Sequence, residues 1–241
     1  MDPARSFGSA ARCYDRIRPG YPPEALRWAI GDAPRRVVDL GAGTGILTRA
    51  LMAFGHEVLA VEPDARMRTR LEQASGVAAM DGSAEAIPLP DGSVDAVLAG
   101  QAYHWFDPVR AHPEVARVLR PGGVFAPIWN FRDEDVPWLR ELSRIVDGAR
   151  ATDGTREDEP EEFGEWFAPI ERAEFRHATT HNVESLLELV RSRSYYLTAP
   201  PEQRAVTEAA VRQLVDTHPD LADAAEFALP YVTRVYRAAR R

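Results

Sequence analysis

Between Arg36 and Asn130, short apolar runs alternate with longer stretches in which apolar residues recur at helical spacing. Arg36–Leu40, Glu57–Val61, Val77–Met80, Val94–Ala99 and Val124–Trp129 read as strands, rich in branched residues and bounded by Gly, Pro and Asp. Ile46–Phe54, Ala65–Ala74 and Val109–Leu119 read as the helices between them. Val94–Ala99 is almost wholly apolar, as a strand covered on both faces must be. Regular strand–helix alternation predicts an α/β fold: a doubly wound, mostly parallel sheet with helices on both faces. Upstream, Ala10–Ile17 reads as a helix stopped by Arg18-Pro19-Gly20-Tyr21-Pro22-Pro23, and a second helix starts at Pro23 and runs to Ile30. After Trp129 the pattern changes. Val136–Ala149, Val183–Ser192 and Glu202–Thr217 have helical periodicity, and Ala173–Thr180 reads as a strand paired antiparallel with Phe227–Tyr236. Thr152–Glu165 is acidic, carries Gly and Pro, and reads as an exposed loop or lid.

A chain of 241 residues suits one domain: an N-terminal arm over 1–31, a core over 32–130 and a C-terminal part over 131–241. The formal net charge of −8 argues against nucleic acid or an anionic membrane as main partner; a small-molecule partner and a monomer or homodimer are the expectation. Every one of the 29 basic residues is arginine, which excludes chemistry that needs a lysine Schiff base. Cys13 is the single cysteine, so no intrachain disulfide forms. The histidines are scattered without ligand spacing, His177 and His181 included, so no metal is implied. No apolar run approaches a membrane span, and Met1–Gly20 lacks the apolar core of a signal peptide, so a cytoplasmic location is expected.

The candidate chemistry sits between the first strand and its helix, in Val37-Val38-Asp39-Leu40-Gly41-Ala42-Gly43-Thr44-Gly45. Glycine is needed where the backbone enters positive φ or a ligand lies against it, and such a turn brings N–H groups and a helix N-terminus to a nucleotide-like ligand. A dinucleotide fingerprint G-x-G-x-x-G needs its third glycine where Ile46 stands, whereas here the glycines alternate and an acid precedes them by two residues. Glu62 ends the second strand about twenty residues further on, where an acid accepts hydrogen bonds from ribose hydroxyls; a second capping or salt-bridge acid is the other reading. Asp64 is placed to cap the next helix.

V-V-D-L-G-A-G-T-G, V-E-P-D, G-S-A-E-A-I-P-L-P-D-G-S-V-D-A-V and V-L-R-P-G-G occur in that order. Together they resemble the type 11 group of class I S-adenosylmethionine-dependent methyltransferases. The arm Y-D-R-I-R-P-G-Y-P, the segment Q-A-Y-H-W-F-D and the late R-S-R-S-Y-Y-L resemble the trans-aconitate-type branch of that group. The resemblance implies a Rossmann-like sheet of seven strands, the last inserted antiparallel between the fifth and sixth. It implies S-adenosylmethionine as cofactor. Asp39, Gly41, Ala42 and Gly43 then line its methionine part, Glu62 holds the ribose, and Pro63 lies against the adenine. Ser83 and Ala84 meet the adenine edge, although many relatives carry Asp in place of Ser83, which weakens that contact or routes it through water. Ala99, Gly100 and Gln101 meet the amino-acid end, with Tyr14 and Arg18 closing over it; for Tyr14, Arg18 and Tyr21, surface packing of the arm is the other reading.

The sulfonium methyl is already activated, so an enzyme of this kind must align the acceptor and exclude water. A carboxylate acceptor needs no base and a hydroxyl usually does. His104 is the candidate catalytic base; a structural histidine capping the following helix is the alternative. Trp105 and Trp129 are read as packing residues that shape the pocket, and Arg193, Tyr195 and Tyr196 either contact substrate or form a solvated helix face. The reading is methylation of a small molecule, O-methylation of a carboxylate or hydroxyl favoured. A non-catalytic S-adenosylmethionine-binding protein and a nicotinamide-dependent oxidoreductase are the alternatives, the latter disfavoured by the glycine spacing.

Overall fold

The computed structural model describes residues 18–147 and 159–241. The elements run α1 (Pro23–Ile30), β1 (Arg36–Leu40), α2 (Ile46–Ala53), β2 (Glu57–Val61), α3 (Ala65–Ser75), β3 (Val94–Gly100), a 3-10 turn (Tyr103–Trp105), α4 (Pro108–Val118) and β4 (Leu119–Arg132). They continue with α5 (Pro137–Asp147), β5 (Glu171–His181), α6 (Val183–Arg191), α7 (Ser194–Thr198), α8 (Pro201–Thr217) and β6 (Phe227–Ala239). The expected helix over Ala10–Ile17, and Tyr14 with it, lies outside the described residues.

Among the described residues the sheet has six strands, in the order β2-β1-β3-β4-β6-β5. β6 runs antiparallel to both β4 and β5, and the other pairs are parallel. The insertion of the last strand is as the resemblance implied, but the strand count is not seven. Val77–Met80 forms no strand: only Met80 bridges Val61, through Met80 N–H to Ala60 O (2.9 Å) and Glu62 N–H to Met80 O (3.1 Å). The reason is local. The N–H of Ala79 donates to the Glu72 carboxylate of α3 (3.2 Å) instead of to a neighbouring strand, and Gly82 turns the chain away where a Cβ would lie 2.6 Å from Pro88.

Pleating divides the core. Val37, Ala96, Leu98, Ala126 and Ile128 point to one face and pack under α1 and α2. Val38, Leu40, Val97, Ala99 and Phe125 point to the other, under α4 and the Phe163–Phe167 stretch. A third cluster joins α5, α6 and α8 to the start of β6 through Leu139, Leu187, Leu214 and Tyr231. Because β6 is antiparallel, its first residues lie beside the carboxyl end of β4, so this helical layer stands at the carboxyl ends of the parallel strands. There it brings the α6–α7 junction to the site. The described part of the expected acidic lid is anchored: Phe163 is buried 4.6 Å from the Phe125 ring, and Glu159 pairs with Arg234 of β6.

Candidate active site

β1, β2 and β3 end side by side, and the chain leaves each of them at one cavity of about 300 Å³. Open parallel sheets bind ligands at this edge because all the strands end there together and their loops diverge. Its walls include Asp39, Gly41, Ala42 and Gly43 from the β1 turn, Glu62 and Pro63 from the end of β2, and Gly100, Gln101, His104 and Trp105 after β3. Arg18, Pro19 and Tyr21 of the arm and Arg193 of the α6–α7 junction complete it.

Gly41, Gly43 and Gly45 adopt φ of 70°, 56° and 85°. A Cβ on Gly41 would stand 2.7 Å from the Ala102 Cβ, so that glycine also permits a close approach of the β1 and β3 loops. The turn does not offer a row of unspent amides, as the general picture of such turns suggests. Gly41 and Ala42 donate to Val61 O (2.9 and 3.1 Å), Gly45 to Ala42 O (2.9 Å), and Gly43 to Glu62 Oε2 (2.9 Å). A diphosphate needs those donors. The turn presents buried carboxylates instead.

Glu62 is 6% exposed; its second oxygen accepts from Asp64 N–H (2.9 Å), and Asp64 in turn caps α3 by accepting from Arg66 and Met67. Asp39 is 1% exposed and accepts from the Thr48 hydroxyl at 2.6 Å. Burial pushes the Asp39 carboxyl up to about 7, with the Glu62 charge adding to the rise and the Thr48 hydrogen bonds opposing it. Burial likewise raises Glu62. Two acids disfavoured as anions, facing one cavity, are prepared for a ligand that brings positive charge and hydroxyl donors.

Gln101 is the one described non-glycine residue at positive φ (56°). Its N–H donates to Ile128 O (2.9 Å) and its side-chain amide to Asn130 O (3.1 Å), which hold it in that conformation. His104 lies exposed on the 3-10 turn with its ring 4.8 Å from that of Trp105. It does not cap α4; the Asp107 carboxylate does, accepting from Val109 N–H (3.1 Å). Arg18 donates to Ser192 O (3.0 Å), which seats the arm against the α6–α7 junction beside Arg193.

Ser83, Ala84 and Ala99 stand apart from this cavity wall. Ala99 is fully buried in the core, because the pleat sends it to the α4 face and turns Gly100 to the cavity. Ala84 is buried, and Ser83 is held in a tight turn by paired hydrogen bonds with Ala86. Trp129 is a packing residue, edge-on to Tyr103 and Tyr236. Tyr196 turns its hydroxyl to Glu208 and not to the cavity; the Tyr195 side chain lies outside the described residues. Sequence reasoning missed Pro19, Thr44, Ile46, Leu47, Met67, Ala102 and Phe106 as wall residues and left Tyr21 undecided. Helical or loop periodicity says which of these are apolar, not which end of an element faces a cavity.

The Methyltransferase domain family matches residues 38–126. An uncharacterized methyltransferase of Mycobacterium tuberculosis is 48% identical over 240 residues, 98% of this chain and 96% of that protein. This chain belongs to the class I S-adenosylmethionine-dependent methyltransferases. A solved methyltransferase structure from Anaeromyxobacter dehalogenans superposes on this methyltransferase with a TM-score of 0.66 at 26% identity, covering 93% of this chain and 97% of that one. The malonyl-acyl-carrier-protein O-methyltransferase of Methylococcus capsulatus is 36% identical over 161 residues, 59% of this chain and 56% of that protein. The family settles the cofactor as S-adenosylmethionine and disposes of the nicotinamide alternative. No described helix of the methyltransferase is long and apolar enough to cross a membrane.

Proposed function

We propose that this methyltransferase O-methylates a small anionic molecule, with a carboxylate oxygen as first choice of acceptor. The carrying observation is Arg193 on the wall of the cavity that also holds Arg18, Asp39 and Glu62; with Arg18 assigned to the amino-acid end of the cofactor, Arg193 is the wall guanidinium proposed to face the acceptor. Guanidinium groups match carboxylates in charge and fork geometry. The similarity to an O-methyltransferase supports oxygen over nitrogen as the acceptor atom. The arm and the Q-A-Y-H-W-F-D segment support a place in the trans-aconitate-type branch.

The residues fit the cofactor. Glu62 would accept from the ribose hydroxyls, Pro63 and Met67 would flank the adenine, and Asp39 would face the positive charge of the methionine part beside Gly41, Ala42 and Gly43. Gln101 and Arg18 would meet its amino-acid end. When bound, S-adenosylmethionine supplies an electrophilic methyl that needs no further activation. The chain's own residues orient the acceptor, close the arm over it and exclude water. An ionised carboxylate attacks without a base, and His104 at the cavity wall would take the proton of a hydroxyl acceptor.

The experiment is methyl transfer from labelled cofactor to a panel of small carboxylic acids, alcohols, phenols and amines, with wild type and His104→Ala. Base-labile methyl esters and turnover within about threefold in the variant are expected. A loss of kcat of about 100-fold with unchanged cofactor affinity would instead assign a hydroxyl acceptor with His104 as base. Methylated amines as sole products would sink the oxygen reading.

Asp39 gives the second expectation. Its folded carboxyl titrates near 7, above the ordinary aspartate value, so its neutral form is favoured below that pH and the stability it lends is lost as pH rises through 7. A cationic ligand favours the ionised form. Kd for S-adenosylmethionine should therefore tighten from pH 5.5 to 7, by up to about tenfold per unit at the acid end, with proton release on binding. Calorimetry in buffers of differing ionisation enthalpy reads this, and Asp39→Asn should flatten the profile.

A further inference from the structure

The arm reaches the cavity across a gap in the secondary structure: residues 18–22 belong to no helix or strand, yet Arg18, Pro19 and Tyr21 form wall. Something must hold the backbone there. The cavity accounts for neither of the polar contacts that Pro19 and Gly20 make, because both go to a single buried side chain, Asn130, near the carboxyl end of β4. Its Nδ2 donates to Gly20 O at 2.9 Å and reaches Pro19 O at 3.5 Å. Carbonyl oxygens only accept, so the orientation of the amide is fixed chemically: nitrogen towards the arm and oxygen away from it. The oxygen side agrees. Asn130 Oδ1 accepts from the Thr233 hydroxyl of β6 (2.5 Å) and faces His177 Nε2 of β5 (3.3 Å).

The main chain of the same residue acts on the opposite wall. Asn130 O accepts from Gln101 Nε2 (3.1 Å), one of the two bonds that keep Gln101 at φ 56°. One residue thus holds a backbone strap by its side chain and a strained wall residue by its carbonyl.

We propose that Asn130 is a positioning residue for cofactor binding, a clamp that fixes Arg18 and Tyr21 of the arm against Gln101 across the mouth of the site. It touches neither cofactor nor acceptor and acts through the arm. Alanine removes the donor. Aspartate is worse, because it sets a carboxylate oxygen against two carbonyls with no proton to share. The clamp depends on the arm forming part of the cofactor wall and not on the identity of the acceptor, so its test uses S-adenosylhomocysteine alone and is independent of the carboxylate proposal.

The experiment is a double-mutant cycle on Kd for S-adenosylhomocysteine, measured by calorimetry on wild type, Asn130→Asp, Arg18→Ala and the double variant, with Tm recorded for each. Asn130→Ala serves as the milder variant. Asn130→Asp is expected to weaken binding about tenfold, Asn130→Ala by less, and the double variant is expected to bind no worse than the weaker single one, since the arm is already released. A merely structural role would lower Tm and let the two effects multiply. If Asn130→Asp does not fold, Thr233→Val loosens the same amide from its other side and enters the cycle in its place. Multiplying effects, or a Kd within twofold of wild type in the folded Asn130 or Thr233 variants, would overturn the clamp.

Discussion

Glu62→Ala is expected to weaken binding of S-adenosylmethionine by about 100-fold. The carboxylate is buried, so the deletion costs more than a surface acid would. With the ligand bound, it removes the acceptor proposed for both ribose hydroxyls; two hydrogen bonds to a charged group are together worth on the order of 3 kcal/mol or more. In the ligand-free protein it removes the ties to Gly43 N–H and Asp64 N–H, both at 2.9 Å, which join the glycine turn to the start of α3. Both losses point the same way. Glu62→Gln should lie between, since an amide keeps one acceptor but turns a donor towards one of the amides. Calorimetric titration with S-adenosylmethionine and S-adenosylhomocysteine decides it. Affinity within about threefold of wild type would mean that the ribose sits elsewhere, and the cofactor orientation proposed above would fall.

Gly41→Val is expected to abolish measurable cofactor binding and to lower Tm by roughly 5–15 °C. Two independent costs add at this position. The backbone holds φ 70°, where a branched side chain is strained by about 1–2 kcal/mol. A Cβ would also stand 2.7 Å from the Ala102 Cβ, and forcing a buried loop apart costs about 1–3 kcal/mol more. The Ala102 side of the clash is itself cavity wall, so the strain moves the site and not merely the scaffold. Gly43→Ala is the control. It has φ 56° but no atom within 4 Å of its would-be Cβ, so in the absence of ligand it should cost only the backbone strain, about 1 kcal/mol. Thermal unfolding of the two variants without ligand separates crowding from conformation. Equal Tm values would show that the approach of Ala102 is not what requires glycine at 41.

Much of this architecture was legible because it is carried by local signals. β1, β2, β3 and the helices after them have short-range periodicity, and their ends carry glycine, proline and capping acids. Asp64 as the α3 cap follows from one residue and its position. Val77–Met80 is apolar enough to be a strand and has strand length, but strand formation needs a partner over several residues, and the Glu72 side chain takes the donor of Ala79. The acidic stretch reads as loose from composition, yet two phenylalanines within its surroundings, Phe163 and Phe167, sit in the main core. Composition averages over residues, whereas anchoring depends on one or two of them.

By itself the sequence determined the α/β alternation, the glycine turn with its preceding acid, the acid at the end of β2 and the exclusion of lysine chemistry. These depend on residue type at short spacing. Only the tertiary structure decided that Gly100 and not Ala99 faces the cavity, that Arg18 and Arg193 share a wall, and that Asn130 joins the arm to Gln101. Pleat phase, crossover and the antiparallel return of β6 bring together residues more than a hundred positions apart, such as Asn130 and Thr233 or Arg18 and Ser192. No local pattern records such a meeting.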